Sequence, residues 1–304
     1  MPDIGSWLRR GVCRLVGIDP NLLPNAGAPP VARPPLAPQP RSHFAYLGND
    51  RGIVVLHDGS RIFVDTRDLS LTPSLIVYGC WEPWIETALL RLVSPGAVVV
   101  DLGANFGYYT LFLARAVGPK GKVFAFEANP HLIDLLSATI IANGLGARVV
   151  VKNAAIVDRE DTVELHVDPR YCGGGHLAFG PEESELQHYR VKGTTLCNAL
   201  ADIERIDVLR MDIEGSEPLA LHGAEQLIRN SPELIIICEW SLPMLVAHGD
   251  VPALVSWLTE LGFSFWEIRT DSTLRPVPRE EMLTIGHCDV VISRQYPQNL
   301  RRQQ

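Results

Sequence analysis

The segment Val98–Thr110 constrains the fold of this chain more than any other, because it has the pattern of a strand, a tight turn and a helix start. Three valines lead into Asp101, and the turn that follows contains Gly103 and Gly107 ahead of an apolar helical run. Glycine lets a backbone approach a ligand closely, and a helix N-terminus presents unpaired N–H groups. The segment therefore predicts a ligand bound at this turn.

The spacing of the turn residues limits the kind of ligand. The pattern is D-x-G-x-x-x-G rather than the dinucleotide fingerprint G-x-G-x-x-G, and no Lys-Ser/Thr pair follows as in a phosphate-binding P-loop. The next predicted strand, Lys122–Glu127, ends on an acid at ~20 residues past the turn, where a carboxylate can accept both ribose hydroxyls. The expected ligand is a nucleoside without a diphosphate, and S-adenosylmethionine (SAM) fits. Asp101 and the turn are expected at its methionine part, and Glu127 at its ribose.

Strands and helices alternate through the middle of the chain. The predicted elements are a strand at 97–101, a helix at 107–117, a strand at 122–127, a helix at 130–143 and a strand at 148–153. Such alternation predicts a parallel sheet with helices on both faces, and ligands then bind at the carboxyl ends of the strands. Asn153 and Ala154, at the end of the third strand, are therefore expected near the adenine.

Two further strands end on acidic residues. Ile206–Asp212 is the predicted fourth strand, with Glu214 just beyond it, and the nearly apolar fifth strand ends on Glu239. Asp212 is the leading candidate for a polar group at the reaction centre, although it could instead cap a helix. Glu214 could be a first-turn charge favoured by the helix dipole, and Glu239 could be part of an ion pair.

Three motifs in order, Asp101–Thr110, Phe126–Pro130 and Met211–Glu217, together resemble the FkbM-type family of SAM-dependent methyltransferases. The resemblance covers roughly residues 75 to 295 and implies a Rossmann-like α/β sheet of the class I SAM methyltransferases, mostly parallel, with seven strands and a reversed last strand. It also places a Glu-Pro pair near the cofactor, matched here by Glu82 and its following proline. The residues expected at SAM are Glu82, Asp101, Gly103, Ala104, Asn105, Gly107, Tyr109, Thr110, Glu127, Ala128, Asn129, Asn153, Ala154 and Asp212.

The chain divides into four predicted regions. Residues 1–40 are expected to form a short helix and a proline-rich linker, residues 41–75 a small β-hairpin element, residues 76–295 the SAM-dependent methyltransferase domain, and residues 296–304 a polar tail. A strong turn signal at Asp58-Gly59 supports the hairpin. The helix within 1–18 is expected to dock on the domain or on a second subunit of a homo-oligomer, or to touch a membrane surface weakly.

Charge and cysteine usage exclude several classes of function. The 304 residues carry a formal net charge of −8 without a Lys/Arg cluster, so no nucleic acid partner is expected. The six cysteines are scattered without a CxxC pair, and neither a signal peptide nor an apolar run of the ~20 residues that span a bilayer is visible. These features predict a cytoplasmic protein with reduced thiols and no integral membrane segment.

Methyl transfer to a hydroxyl needs a general base near the methyl group, with a pKa suited to the working pH. Asp212 and Glu239 are the first candidates, followed by Glu214 and by His176, which ends a glycine-rich segment expected to be a mobile lid or a plain solvent loop. Neighbouring carboxylates could share a proton or bind a divalent metal, and the sequence leaves both open. No specific metal site is predicted, because Cys172 and His176 alone offer too few ligands for zinc.

The resemblance implies O-methylation of a hydroxyl on a sugar, a glycan or a natural-product scaffold, with a small-molecule or glycan acceptor. Two alternatives stay open at this point. The chain could be an N-methyltransferase acting on an amine or peptide, which needs no strong base if the amine is neutral. It could also be a non-catalytic SAM-binding or regulatory protein, although the intact acidic motifs argue against this. The missing glycine of the dinucleotide fingerprint argues against a dehydrogenase.

Overall fold

The computed structural model describes residues 43–178 and 185–297. The helix and proline-rich linker predicted for residues 1–40 lie outside the described residues, as does most of the predicted tail, residues 298–304. Within the described ranges, none of the helices combines the length and the hydrophobicity needed to cross a membrane.

Fifteen strands and nine α-helices make up the described part of the chain. The strands are β1 His43–Gly48, β2 Arg51–Val55, β3 Arg61–Asp65, β4 Val98–Leu102, β5 Lys122–Glu127, β6 Val149–Asn153, β7 Ala155–Ile156, β8 Asp161–Val167, β9 His176–Leu177, β10 Gln187–Thr194, β11 Val208–Met211, β12 Ile235–Trp240, β13 Ser264–Ile268, β14 Leu274–Val277 and β15 Cys288–Ser293. The helices are α1 Thr72–Tyr78, α2 Pro83–Leu92, α3 Tyr108–Ala116, α4 Pro130–Ala142, α5 Leu196–Ala199, α6 Glu217–Gly223, α7 Glu225–Asn230, α8 Leu242–His248 and α9 Val251–Glu260.

The predicted hairpin is part of a three-stranded antiparallel sheet, β1-β2-β3. β2 and β3 pair as expected around the Asp58-Gly59 turn, and Val55 lies opposite Arg61. β1 adds a third strand to the two expected for the hairpin, and most of its residues are exposed. The helix α1 also begins inside the region expected to be hairpin alone.

The central sheet has eight strands in the order β14-β13-β15-β12-β11-β4-β5-β6. Five neighbouring strands, β12-β11-β4-β5-β6, are parallel, and β15 runs antiparallel between β12 and β13, as the resemblance implied. The sheet contains one strand more than the seven expected. The additional strand β14 contains Pro276 and lies at the edge of the sheet, where the missing backbone N–H of proline is tolerated.

Both faces of the central sheet are covered, as the alternation of strands and helices predicted. Successive side chains of a strand point to opposite faces, and in β4 Val99 belongs to one apolar cluster while Val100 and Leu102 belong to another. The strand order reverses between β4 and β11, because β5 and β6 extend from one side of this pair and β12 from the other. Such a reversal opens a crevice at the carboxyl ends of the strands.

Gly103, the first residue after β4, lies at this crevice with a φ of +76°. A Cβ atom at this position would overlap the backbone carbonyl oxygen of Asp212, the residue that follows β11. The two chain segments therefore approach each other more closely than any residue with a side chain would allow.

We expect Gly103→Ala to lower the free energy of unfolding by at least about 2 kcal/mol, because alanine is strained at this φ and its methyl group would push the two segments apart. Chemical denaturation of the ligand-free protein measures this loss. Gly146→Ala is the matched control, since nothing lies within 4 Å of a Cβ there. Equal stability of the two variants would contradict the close packing of β4 against β11.

Candidate active site

A cavity of about 390 Å³ lies at the carboxyl ends of the central strands, over the crevice between β4 and β11. Its volume is within the range of small-molecule and cofactor sites. Most of the residues predicted for the site line it: Glu82, Gly103, Ala104, Asn105, Tyr109, Glu127, Ala128, Asn129, Ala154, Asp212, Glu214 and Glu239. The topology therefore brings together side chains that are more than 150 positions apart in sequence.

Glu127, at the end of β5, forms one side of the cavity. Its Oε2 accepts a hydrogen bond from the backbone N–H of Asn105 at 2.8 Å, and its Oε1 accepts one from the N–H of Asn129 at 2.8 Å. Burial raises the pKa of Glu127 to about 7, although these N–H groups act in the opposite direction. The carboxylate is thus fixed in orientation, and each oxygen keeps a lone pair for a ligand.

Apolar side chains also line the cavity. Phe126, which precedes Glu127 on β5, belongs to one apolar cluster with Ala154 and Ile156, and all three line the cavity. An apolar slot beside a fixed carboxylate suits an adenosine group, whose flat base needs an apolar surface and whose ribose offers two hydroxyls.

Arg210 on β11 joins the walls of the cavity, and it was not among the residues predicted for the site. Its Nη1 donates to Asp101 Oδ1 at 3.3 Å and to the Gly103 carbonyl at 3.1 Å, and its Nη2 donates to Asp212 Oδ2 at 2.6 Å. The guanidinium also lies 4.4 Å from the centre of the Tyr109 ring. The sequence did contain a signal for Arg210. It is a charged residue within an apolar strand, and it lies two positions before Asp212, so the two side chains point to the same face of the sheet.

Asp101 does not line the cavity, contrary to the expectation that it would meet the ligand. It is fully buried, and its oxygens accept hydrogen bonds from Arg210 and, at 2.5 Å, from the Thr110 hydroxyl. Burial raises the pKa of Asp101, and the Arg210 guanidinium opposes this shift. Asp101 therefore holds the wall of the cavity from behind.

Three more predicted contacts lie outside the cavity lining. Thr110 is fully buried against Asp101, and Gly107 faces Leu136 of α4. Asn153 turns its side-chain amide to the backbone carbonyls of Glu127 and Ala128, at 2.8 and 3.0 Å. These residues support the lining from outside it.

Three carboxylates converge on the opposite side of the cavity, at the ends of β11 and β12. Oxygen atoms of Asp212, Glu214 and Glu239 all lie within 4.8 Å of one another. Burial and the neighbouring Asp212 and Glu217 carboxylates raise the pKa of Glu214 to about 8. Burial, with Asp212 and Glu214 close by, raises the pKa of Glu239 further still. We call Asp212, Glu214 and Glu239 the carboxylate cluster.

Two further titratable groups, Asp289 and His287, border the carboxylate cluster, and of these Asp289 was not predicted. Asp289 lies directly opposite Glu239 in the β12–β15 ladder, and burial together with Glu82 and Asp212 raises its pKa to about 7. The His287 Nε2 atom lies 3.5 Å from Glu239 Oε1. The acids outnumber Arg210 and His287, the basic side chains named here, so this side of the cavity favours retained protons or a bound cation.

The backbone at the cavity is strained at three positions that are not glycine. Glu82, Asn105 and Glu214 have φ values of +39°, +51° and +52°, and all three line the cavity. Residues other than glycine rarely adopt a positive φ, and such backbone strain concentrates at functional sites. Glu82 precedes Pro83, and its Oε2 accepts a hydrogen bond from the Tyr109 hydroxyl at 2.8 Å. Burial raises the pKa of Glu82, and this hydrogen bond opposes the shift.

The glycine-rich segment 172–175 lines the cavity but does not have the form of a free lid. The N–H of Cys172 donates to Asp68 Oδ1 at 3.0 Å, and the N–H of Gly173 donates to Ser70 Oγ at 3.2 Å. His176 is not among the cavity-lining residues. Its neighbour Leu177 lines the cavity, and alternation along β9 turns His176 to the other face, where its ring lies 5.9 Å from that of His166.

The raised pKa values predict that the ligand-free protein loses stability as the pH rises from about 5 to 8. In this window the folded state keeps protons on Glu214 and Glu239 that the unfolded chain has released. The free energy of unfolding should therefore fall by at most about 1.4 kcal/mol per pH unit for each retained proton. Denaturant midpoints at several pH values measure the slope, which Glu239→Gln should reduce. Glu225→Gln is the control, because Glu225 lies at the surface in an exposed ion pair. An unchanged slope in Glu239→Gln would contradict proton uptake by the folded state.

Sequence comparisons place the chain among methyltransferases. The family model described as the methyltransferase FkbM domain matches residues 101–265. The methyltransferase sdnD of Sordaria araneosa is 25% identical over 208 residues, which cover 57% of this chain and 76% of that protein. The tRNA (adenine(58)-N(1))-methyltransferase TrmI of Thermus thermophilus is 54% identical over 213 residues, which cover 69% of this chain and 67% of that protein.

Two solved methyltransferase structures also match part of this chain. An O-methyltransferase from Bacillus cereus in complex with SAH gives a TM-score of 0.40 at 15% identity, over 74% of this chain and 81% of that chain. A SAM-dependent methyltransferase from Aquifex aeolicus gives a TM-score of 0.40 at 16% identity, over 73% and 92%.

The family match spans more than half of the chain and begins at Asp101, in the turn that forms the cavity wall. The strand order, with a reversed strand between β12 and β13, is the Rossmann-like arrangement of the class I SAM methyltransferases. The chain belongs to the FkbM family of SAM-dependent methyltransferases, and its methyl donor is SAM.

Proposed function

We propose that this enzyme transfers the methyl group of SAM to a hydroxyl group of a small-molecule or glycan acceptor. The observation that carries the proposal is the carboxylate cluster on the cavity wall, in which Glu214 has a pKa of about 8. Proton transfer is most efficient when the pKa of the base lies near the working pH. An alcohol must lose a proton as it is methylated, whereas a neutral amine makes no such demand on a base.

The side of the cavity around Glu127 suits the adenosine part of SAM. Each oxygen of Glu127 is already aligned by a backbone N–H and can accept one ribose hydroxyl. Ala154 and Ile156 line the cavity beside it and offer an apolar surface to the adenine. We assign the methionine part to the turn 103–105, which lines the cavity next to Arg210.

SAM supplies a methyl group on a positively charged sulfur, which is already electrophilic. The protein has to align the acceptor oxygen with this methyl group and exclude water. With SAM bound, the acceptor oxygen would take the methyl group, and the carboxylate cluster would accept the hydroxyl proton. We assign the proton to the cluster rather than to one residue, because carboxylates this close titrate as a unit. Within the cluster, Asp212 is held in place by a hydrogen bond of 2.6 Å from Arg210.

The same three oxygens could instead hold a divalent cation that acidifies the acceptor hydroxyl. In that case the cation, rather than a proton, balances the charge of Asp212, Glu214 and Glu239. The two possibilities predict different responses to chelators, so the activity assay below includes one.

The acceptor is assigned to the part of the cavity between Trp81, Tyr108 and the segment 171–175. These residues line the same cavity as Glu82 and the carboxylate cluster. Aromatic rings beside hydrogen-bonding carboxylates suit a sugar, whose faces are apolar and whose edges carry hydroxyls.

A second candidate is methylation of a base in RNA, and the similarity to TrmI favours it. That relative is a tRNA methyltransferase by name and shares 54% identity over 213 residues. The net charge of −8 and the acidic groups around the cavity oppose it, because they repel phosphates. The acceptor assay therefore includes tRNA beside alcohols.

Glu127→Gln should weaken binding of S-adenosylhomocysteine, the product form of the cofactor, by about 30-fold to 150-fold. The neutral amide loses charge-assisted hydrogen bonds to the ribose, which are worth roughly 2–3 kcal/mol. Calorimetric titration measures the dissociation constant, and Glu225→Gln is the exposed control. Asp101→Ala is less suitable, since it would leave the buried Arg210 without one of its partners. Unchanged affinity in Glu127→Gln would overturn the adenosine placement.

Asp212→Asn should lower the rate of methyl transfer to an alcohol by about 10²-fold to 10⁴-fold, because the cluster loses the charge that accepts the proton. The assay follows labelled methyl from SAM into glycosides, polyketide-like alcohols and tRNA, with and without a chelator. The parent rate should rise with pH up to about 8, and this rise should be lost in Glu214→Gln. Transfer to tRNA alone, or a rate in Asp212→Asn equal to that of the parent, would refute hydroxyl methylation.

A further inference from the structure

Three histidines form a row across the small sheet β7-β10-β8-β9, away from the carboxylate cluster. His166 of β8 lies directly opposite His188 of β10 on one side and His176 of β9 on the other. Residues opposite each other in an antiparallel ladder share a face, so the three imidazoles project from the same side of the sheet. Glu164 is two positions from His166 along β8 and therefore also lies on this face.

Glu164 connects two of these imidazoles. Its Oε1 lies 3.3 Å from His166 Nε2 and 2.9 Å from His188 Nδ1. The rings of His166 and His188 are stacked, with centroids 4.1 Å apart and an angle of 18° between their planes. One carboxylate oxygen and two ring nitrogens, all within 4.8 Å of one another, thus converge on one point.

The three groups differ in exposure in a way that suits a binding site. The His166 side chain is only 6% exposed, whereas those of Glu164 and His188 are 46% and 25% exposed. A buried imidazole has few rotamers available, so the first donor is fixed in place. The two others lie at the surface, where an ion can enter from solvent.

We propose that Glu164, His166 and His188 form a site for a divalent transition-metal ion, with zinc as the best fit. Two imidazole nitrogens and a carboxylate oxygen are a donor set that zinc accepts, with a further position available for another ligand. The nitrogen donors disfavour calcium and magnesium, which require oxygen ligands. His176 adds a third imidazole beside His166 on the same face of the sheet, and imidazole is a ligand that zinc accepts.

A metal ion at this site would join β8 to β10 and act on the cavity through the opposite face of the sheet. Leu165, between Glu164 and His166, and Leu177, next to His176, both line the cavity. Cross-linking the two strands would hold this wall in one position. The proposal rests on the small sheet alone and does not depend on the identity of the methyl acceptor.

The test is a zinc titration of the full chain after removal of metals by a chelator. Competition with a chromophoric zinc indicator should give one tight equivalent per chain. Glu164→Gln and His188→Gln each remove one donor at the surface, where folding is least affected. Loss of a residue that only supports a metal ligand by a hydrogen bond lowers metal affinity by about 10-fold to 100-fold. Each of these two variants removes a ligand itself and should weaken zinc binding by more than that. His222→Gln is the matched control, because His222 is exposed and lies against Trp257, outside the row.

Two further measurements separate this site from other zinc-binding groups. Cobalt substituted for zinc should show no sulfur-to-metal charge-transfer band, which excludes the cysteines as ligands. Amide hydrogen exchange in β8 and β10 should slow with zinc in the parent and not in His188→Gln. Three results would overturn the proposal. They are no tight zinc binding by the parent, tight binding retained in both Glu164→Gln and His188→Gln, or tight binding lost in Glu214→Gln instead.

Discussion

The structure of the active-site region depends on the buried guanidinium of Arg210. This group links β4 to β11 through Asp101, the Gly103 carbonyl and Asp212, and it lies over the ring of Tyr109. Burial acts against its charge, but the Asp212 and Asp101 carboxylates outweigh burial and raise the pKa of Arg210. Removing one partner of a buried ion pair typically costs about 3–5 kcal/mol. The crevice at the strand-order reversal is therefore held together by charge as well as by apolar packing.

The same arrangement determines the electrostatics of the cavity. Asp212 faces Arg210 on one side and the other two members of the carboxylate cluster on the other, while Asp289 and Glu82 lie close by. Because one guanidinium cannot balance all of these acids, several of them retain protons near neutral pH. A group that exchanges a proton near neutral pH is what methylation of a hydroxyl requires. The charge that stabilises the wall and the charge available for chemistry thus belong to one network.

Much of the fold and of the cofactor side of the site could be predicted from the sequence. The strand–turn–helix at Val98–Thr110, the acid at the end of β5 and the alternation of strands and helices each follow from local patterns. The strand β14 was missed for a local reason, since it contains Pro276. Arg210 left a signal in its strand, but its three partners lie 2 to 109 positions away, and no local pattern records such contacts.

The sequence by itself determined the parallel sheet, the glycine turn and the acidic strand ends, because these depend on periodicity and on residue type at one place in the chain. Only the tertiary structure decided which acids meet the cavity and which support it. Asp101 is turned inward to Arg210 and Glu239 is turned toward Asp212. Alternation along β9 and the pairing of β8, β9 and β10 moved His176 out of the cavity and into a row with His166 and His188. The direction of a side chain depends on strand register and on long-range packing, which a sequence pattern does not contain.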